Sequence, residues 1–278
     1  MLSYRHSFHA GNFADVLKHI VLIELLEHMV KKEKAFSYID THSGAGLYHL
    51  RSDHAEKNQE YQKGITKLID LGWPGLLSYQ AAVKAVNAGN DLTFYPGSPL
   101  LATQYLRAQD QAWCFELHPE DSVFLANNLR PFKQARVRRE DGLKGLLSLL
   151  PPDSRRALVL IDPSYEIKSG YDEVFQTVLK AHKKFATGMY AIWYPVVDRA
   201  RINRLDKQLI SSGITNIQRY ELGLDADSST RGMTSSGMFV INPPWQLMET
   251  MTALLPKLVN ALGENTGAFY RADILVAQ

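Results

Sequence analysis

Five times along the chain a short apolar run stops at a polar or acidic residue and gives way to a helical pattern; the runs are AFSYID, WCFEL, ARVRRED, LVLIDPSY and MYAIWYPV. Strands that alternate with helices in this way are parallel, because each helix carries the chain back to the starting edge before the next strand begins. The repeat predicts an α/β fold with a doubly wound, Rossmann-like sheet, whose ligand crevice lies outside the carboxyl ends of the strands. Two later runs, NIQRYELGL and GMFVINPP, bring the expected total to a mostly parallel seven-stranded sheet, and a helix from about Trp245 to Leu262 follows.

Ahead of the first strand, Phe13, Val16, Leu17, Ile20, Ile23, Leu26 and Val30 recur at helical spacing. They predict a long amphipathic helix from about Gly11 to Glu33, with Asn12 as its cap and Lys18 off the apolar stripe. The length of 278 residues suits about two domains, or one large α/β unit with an insertion. From Gly46 to Glu116 there are 70 residues, where such a unit needs about 20 between its glycine turn and the acid ending the second strand. Residues 48–95 are therefore read as an inserted helical subdomain, and 1–47 with 96–278 as the Rossmann-like domain. The core resumes at PGSPLLATQYL, with Ser98 expected as an N-cap and Pro99 in the first turn.

Composition narrows the function classes. With 45% hydrophobic and 22% charged residues, 18 Gly and 12 Pro, the chain is neither disordered, collagen-like nor a coiled coil. A single cysteine, Cys114, allows no internal disulfide, and the nine histidines show no zinc-ligand spacing, so no metal is expected. Arg5, His6, His9, Asp15 and Lys18 interrupt the opening segment where an export signal needs an apolar run, and no run reaches the ~18 residues of a membrane helix. A reducing, cytoplasmic setting and a monomer are expected. The net charge of +2 announces no nucleic acid by itself.

The chemistry concentrates at strand ends. Asp40-Thr-His-Ser-Gly44-Ala-Gly46 follows the first strand, and its glycines let a ligand approach the backbone closely. The third glycine of a dinucleotide fingerprint is replaced by His49, which argues against a pyrophosphate ligand. Asp40, Gly44, Gly46 and Glu116 suit a nucleoside whose ribose hydroxyls meet a carboxylate, and Asp141-Gly142 at the third strand end suits its adenine. S-adenosylmethionine is such a ligand. The fourth strand delivers Asp162-Pro163-Ser164-Tyr165 to the same edge. An exocyclic adenine amine is a poor nucleophile; a carboxylate on Asp162 and the Pro163 carbonyl can hold its two N–H groups, and Tyr165 offers a stacking face. Asn242-Pro243-Pro244-Trp245 is the competing turn, expected instead to end an antiparallel strand.

These motifs, together with the opening MLSYRHSFHAGNFADVLKH, resemble the RlmJ-type 23S ribosomal RNA adenine-N6 methyltransferases over essentially the whole chain. The resemblance implies a class I S-adenosylmethionine-dependent fold with a small helical insertion, acting on a single adenine, position 2030, of 23S RNA that is protein-free or in an early assembly intermediate. Carried over by position, Lys18, His19, His42, Ser98, Glu116, Asp141, Gly142 and Asp162 would contact the cofactor, with Lys18 also beside the chemistry. Tyr4 and His6 would close over the site and meet the substrate. Where the family has a second proline, this chain has Ser164. His19 lies four residues from Asp15, a spacing that would let the carboxylate fix its tautomer. RNA contacts are expected from Lys57, Lys63 and Lys67, or from the helix bearing Arg199 to Lys207. The rival readings are methylation of DNA adenine or protein glutamine, and a non-enzymatic RNA-binding module.

Overall fold

In the computed structural model, residues 5–89, 91–166, 169–228 and 232–278 are described. A 3-10 turn at His6–Phe8 leads into α1 (Phe13–Val30), where the Asn12 side chain accepts from the backbone N–H groups of Ala14 and Asp15. Helix α1 differs from the amphipathic stripe expected of it: 14 of its 18 residues are buried, Asp15, Lys18 and His19 among them. The reason is tertiary, since the sheet covers one side of the helix and residues 48–95 cover the other.

Strand β1 (Ser37–Asp40) is followed by a short β2 (Leu47–His49), helices α2 (Asp53–Asn58), α3 (Glu60–Lys63) and α4 (Leu77–Lys84), and β3 (Phe94–Pro96). β2 and β3 pair antiparallel as a separate ribbon, so the helices between them leave and re-enter at one point. The chain continues through α5 (Ser98–Thr103), β4 (Gln111–Phe115), α6 (Pro119–Leu129), β5 (Ala135–Arg138), α7 (Gly142–Leu149), β6 (Ala157–Ile161) and α8 (Gly170–Lys184). It closes with β7 (Met189–Val196), α9 (Arg199–Ile210), β8 (Ile217–Gly223), β9 (Ser235–Ile241), α10 (Trp245–Leu262) and β10 (Phe269–Val276). No helix among the described residues is long and apolar enough to cross a membrane.

The fold is α/β and Rossmann-like, with the sheet order β10-β8-β9-β7-β6-β1-β4-β5. β5, β4, β1, β6 and β7 are parallel, and β9, β8 and β10 join antiparallel. The seven expected strands are present, and β10 adds an eighth at the edge; its alternating, half-exposed residues FYRADILV carry a weaker apolar signal than the central strands. Successive residues of β6 point to opposite layers, as a pleated strand requires. Leu158 and Leu160 join the cluster built on α1, α5 and α10, whereas Val159 and Ile161 join the one under α7, α8 and α9. The chain winds outward from β1 through β4 to β5 and then returns to β6 on the other side of β1. That reversal opens a crevice at the carboxyl ends of β1, β4 and β6.

Candidate active site

A cavity of about 760 Å³ occupies that crevice. Its floor is the turn after β1, its far wall is formed by Glu116 to His118 and Glu140 to Leu143, and its near wall by α1 and the Asp162 turn. Gly44 has φ of +59°, and a Cβ there would lie 2.1 Å from the Tyr48 hydroxyl. At Gly142 a Cβ would lie 1.9 Å from the Thr41 carbonyl oxygen, so the β1 and β5 turns can close together only around glycine.

Glu116 follows β4 and spans the turn: its carboxylate accepts from Gly44 N–H at 2.8 Å and from His118 N–H at 2.7 Å. Burial raises its pKa, and those two hydrogen bonds offset part of the shift. Asp141 caps α7 by accepting from the N–H groups of Leu143 and Lys144, and lines the cavity beside Gly142. His42 also lines it, and burial lowers its pKa to about 4, which keeps the ring neutral.

Asp40 and Gly46, both expected to meet the ligand, do not line the cavity. Asp40 is fully buried beneath the turn, where its carboxylate accepts from Tyr38 and Ser98 hydroxyls and His42 N–H. It shapes the turn from below. Gly46, at φ +80°, accepts through its carbonyl from Gly97 N–H. Ser98 is not the expected N-cap; Gly97 takes that position, and the Ser98 hydroxyl donates to Asp40 at 2.7 Å while the residue lines the cavity.

Along the near wall runs a chain of charges. The Lys18 ammonium lies 2.6 Å from Asp162 Oδ2 and 2.8 Å from Asp15 Oδ1. Asp15 Oδ2 in turn accepts from Gly11 N–H and meets His6 Nε2 at 2.9 Å. Burial disfavours the Asp15 charge, but His6 and Lys18 outweigh it and hold the carboxyl well below the usual range. For Asp162 burial wins: it pushes the carboxyl up to about 6, against the lowering pull of Lys18. Desolvation also opposes the Lys18 charge, but the two carboxylates raise its pKa, so it stays an ammonium. Asp15 does not orient His19 as its spacing suggested. His19 Nδ1 lies 2.8 Å from the Tyr95 hydroxyl, and the buried Nε2 of this cavity-lining residue has no partner among the described residues.

Beyond Asp162 and Pro163 the cavity turns aromatic. Tyr165 adopts φ of +52°, its hydroxyl donates to the Trp193 carbonyl, and its ring lies 4.3 Å from Tyr171 and 5.9 Å from Trp193. Trp193 and Tyr171 line this lobe and were not legible as site residues, whereas Arg201, which also lines it, lies on a helix expected to meet RNA. The only signal available was that β7 is the strand next to β6 and ends at the same edge. Asn242 lies elsewhere: β9 runs antiparallel to β7, which puts its carboxyl end at the opposite edge of the sheet, and the Asn242 amide donates to Ala186 and Gly188 carbonyls. Tyr4 lies outside the described residues, whereas His6 sits on its 3-10 turn with its ring edge-on to Tyr48 at 5.1 Å. Among the described residues no group of three or more His, Cys, Asp or Glu is gathered to hold a metal ion.

The arrangement can hold a nucleoside along the β1 turn, with carboxylates at its far end, and present a planar amine to Asp162 against an aromatic wall. A family model described as ribosomal RNA large subunit methyltransferase D, RlmJ, matches residues 33–275. Proteins named ribosomal RNA large subunit methyltransferase J from Haemophilus influenzae and Escherichia coli K12 are 50% and 49% identical, over 97% and 94% of both chains respectively. The crystal structure of protein LPL1258 from Legionella pneumophila matches with a TM-score of 0.89 at 36% identity, covering 96% of this chain and 98% of that one.

Proposed function

The chain belongs to the RlmJ family of large-subunit ribosomal RNA methyltransferases, and from that premise we propose that it methylates the exocyclic N6 of one adenine of 23S ribosomal RNA, using S-adenosylmethionine. The observation that carries this reading is Asp162, held by Lys18 at the end of β6, between a nucleoside-sized lobe and an aromatic one. The residues fit the cofactor on three counts: glycines where a Cβ would collide at Gly44 and Gly142, a carboxylate at Glu116 fixed by two backbone N–H groups, and an orphaned His19 Nε2 on the wall.

When bound, adenosylmethionine supplies an electrophilic methyl group. The protein's part is to hold the acceptor. Lys18 occupies Asp162 Oδ2, which leaves Oδ1 without a hydrogen-bond partner among the described residues and free to accept one N–H of the adenine amine. The Pro163 carbonyl accepts the other, so the nitrogen lone pair is turned toward the cofactor lobe. Stacking of the base on Tyr165 contributes roughly 1–3 kcal/mol. As the nitrogen gains its methyl group it loses a proton to the Asp162 carboxylate. Asp162 is suited to take that proton because burial has raised its pKa to about 6. An adenine N6 inside a duplex is paired, so the substrate base must be unpaired or flipped out.

The basic residues divide by their partners. Arg199 is tied up with Glu221 and Asp227, and Lys63 with Glu264. Arg201 pairs with Asp198, the cap of its own helix, but lines the aromatic lobe, and it and Lys57, over the Phe8 ring, are the residues proposed to meet the RNA backbone. The deciding experiment offers labelled adenosylmethionine with protein-free large-subunit RNA, duplex DNA or bulk protein, and identifies the product by mass. N6-methyladenosine from RNA alone is the expected result. Label in DNA or protein in preference would refute the RNA assignment, and the absence of label from every acceptor would refute the reaction.

A further inference from the structure

His19 Nε2 is the one buried ring nitrogen on the cavity wall left without a partner among the described residues. Behind it stands a chain of two fully buried tyrosines: the Tyr95 hydroxyl lies 2.8 Å from His19 Nδ1 and 3.0 Å from the Tyr79 hydroxyl. The Tyr95 and His19 rings stack at 5.5 Å. Both tyrosines belong to residues 48–95, whose buried apolar side chains share a cluster with α1.

The direction of this chain follows from counting protons. If Tyr79 donates to Tyr95 and Tyr95 donates to Nδ1, the ring carries its proton on Nε2, and a single donor is left unpaired, at the cavity wall. If the chain runs the other way, Nδ1–H donates to Tyr95 and Tyr95 to Tyr79. The Tyr79 hydroxyl proton then has no acceptor, since Tyr95 is its sole hydrogen-bond partner among the described residues, and Nε2 is unpaired as well. One unmet group is cheaper than two, because each buried polar group without a partner loses its hydration for nothing. Burial keeps the ring neutral, so the question is one of tautomer and not of charge.

We infer that Tyr79 and Tyr95 are positioning residues that fix His19 as a neutral Nε2–H donor, and that this donor selects the carboxylate of the cofactor's amino-acid end over its ammonium. The inference rests on the adenosylmethionine reading. The carboxylate assignment follows from placement: Glu116 and Asp141 claim the nucleoside on the β4 and β5 side, so the amino-acid end lies along α1, where His19 and Lys18 stand. A donor there stabilises an acceptor group and repels a cationic one.

Two measurements test it. The first is the histidine side-chain 15N spectrum of the unliganded protein, with His19 assigned by its loss in His19→Gln. A protonated, pyrrole-like Nε2 is expected, and a protonated Nδ1 overturns the inference. The second is calorimetry with S-adenosylhomocysteine and with 5′-methylthioadenosine, which lacks the amino-acid end. Tyr95→Phe, a change of one buried oxygen, should weaken the first ligand by roughly 10-fold, the scale of one hydrogen bond to a charged group. It should leave the second ligand unchanged. In turnover the KM for the cofactor should rise with kcat retained, and Tyr79→Phe should act in the same direction with a smaller effect. Equal weakening of both ligands, or no weakening of either, overturns the inference. Failure of the wild-type protein to bind S-adenosylhomocysteine would instead overturn the cofactor reading and leave the tautomer result standing.

Discussion

Asp162 and Lys18 lie 2.6 Å apart where little water reaches them, so each sets how easily the other changes its charge. Asp162 must be ionised to accept a proton. With its pKa lifted by burial to about 6, turnover is expected to fall on the acid side with a midpoint near that value. The Lys18 charge favours the carboxylate, so Lys18→Met should move this limb to higher pH; a pH–kcat profile of both proteins checks the sign. Asp162→Ala should lower kcat by roughly 100- to 10,000-fold while adenosylmethionine binding changes much less, as read by single-turnover rates and calorimetry. Asp162, Glu116 and Asp141 were legible in the sequence because each ends a strand run, and the strand direction sends all such residues to one edge. Asp15 was read only as a neighbour of His19 on the same helix face. Its actual partners, His6 and Lys18, come from a turn folded back over the helix and from a lysine drawn inward by Asp162, and spacing along α1 encodes neither.

Strand direction separates the two proline turns. Asn242 ends an antiparallel strand at the edge away from the cavity, where its amide holds two carbonyls of the turn before β7. Asn242→Ala is therefore expected to leave turnover unchanged and to cost about 1 kcal/mol of stability for the lost hydrogen bonds, measured by denaturant unfolding. Gly142 is different, because its Cβ would strike backbone and not a movable side chain. Gly142→Ala should destabilise the fold by about 1–3 kcal/mol and weaken cofactor binding, since the β1 and β5 turns would have to part. The Ser98 reading shows how an element boundary misleads: a serine before a proline has the pattern of a helix cap, yet the hydroxyl is captured by a buried carboxylate that arrives from β1.

On the scale of the molecule, residues 48–95 do more than decorate the sheet. Leu50, Ile65, Leu68, Leu76, Tyr79, Val83 and Tyr95 are fully buried in the same cluster as α1. At roughly 1.5–3 kcal/mol for each large apolar side chain, their burial is comparable with the 5–15 kcal/mol net stability of a typical protein. Joining residue 49 directly to residue 94 is thus expected to give a chain without a cooperative thermal transition, checked by circular dichroism on the soluble fraction. What the sequence determined by itself was the α/β alternation, the parallel core, the edge at which the site lies and the carboxylates that end its strands. Those follow from local periodicity and from the fixed direction a strand gives its last residue. Only the tertiary structure decided which of these side chains face the cavity, that α1 is buried on both sides with a lysine and a histidine inside it, and that two tyrosines from residues 48–95 reach His19. Such facts depend on which distant groups share a volume from which water is excluded, and the desolvation that raises Asp162 and leaves His19 Nε2 without a partner among the described residues exists only once that volume has closed.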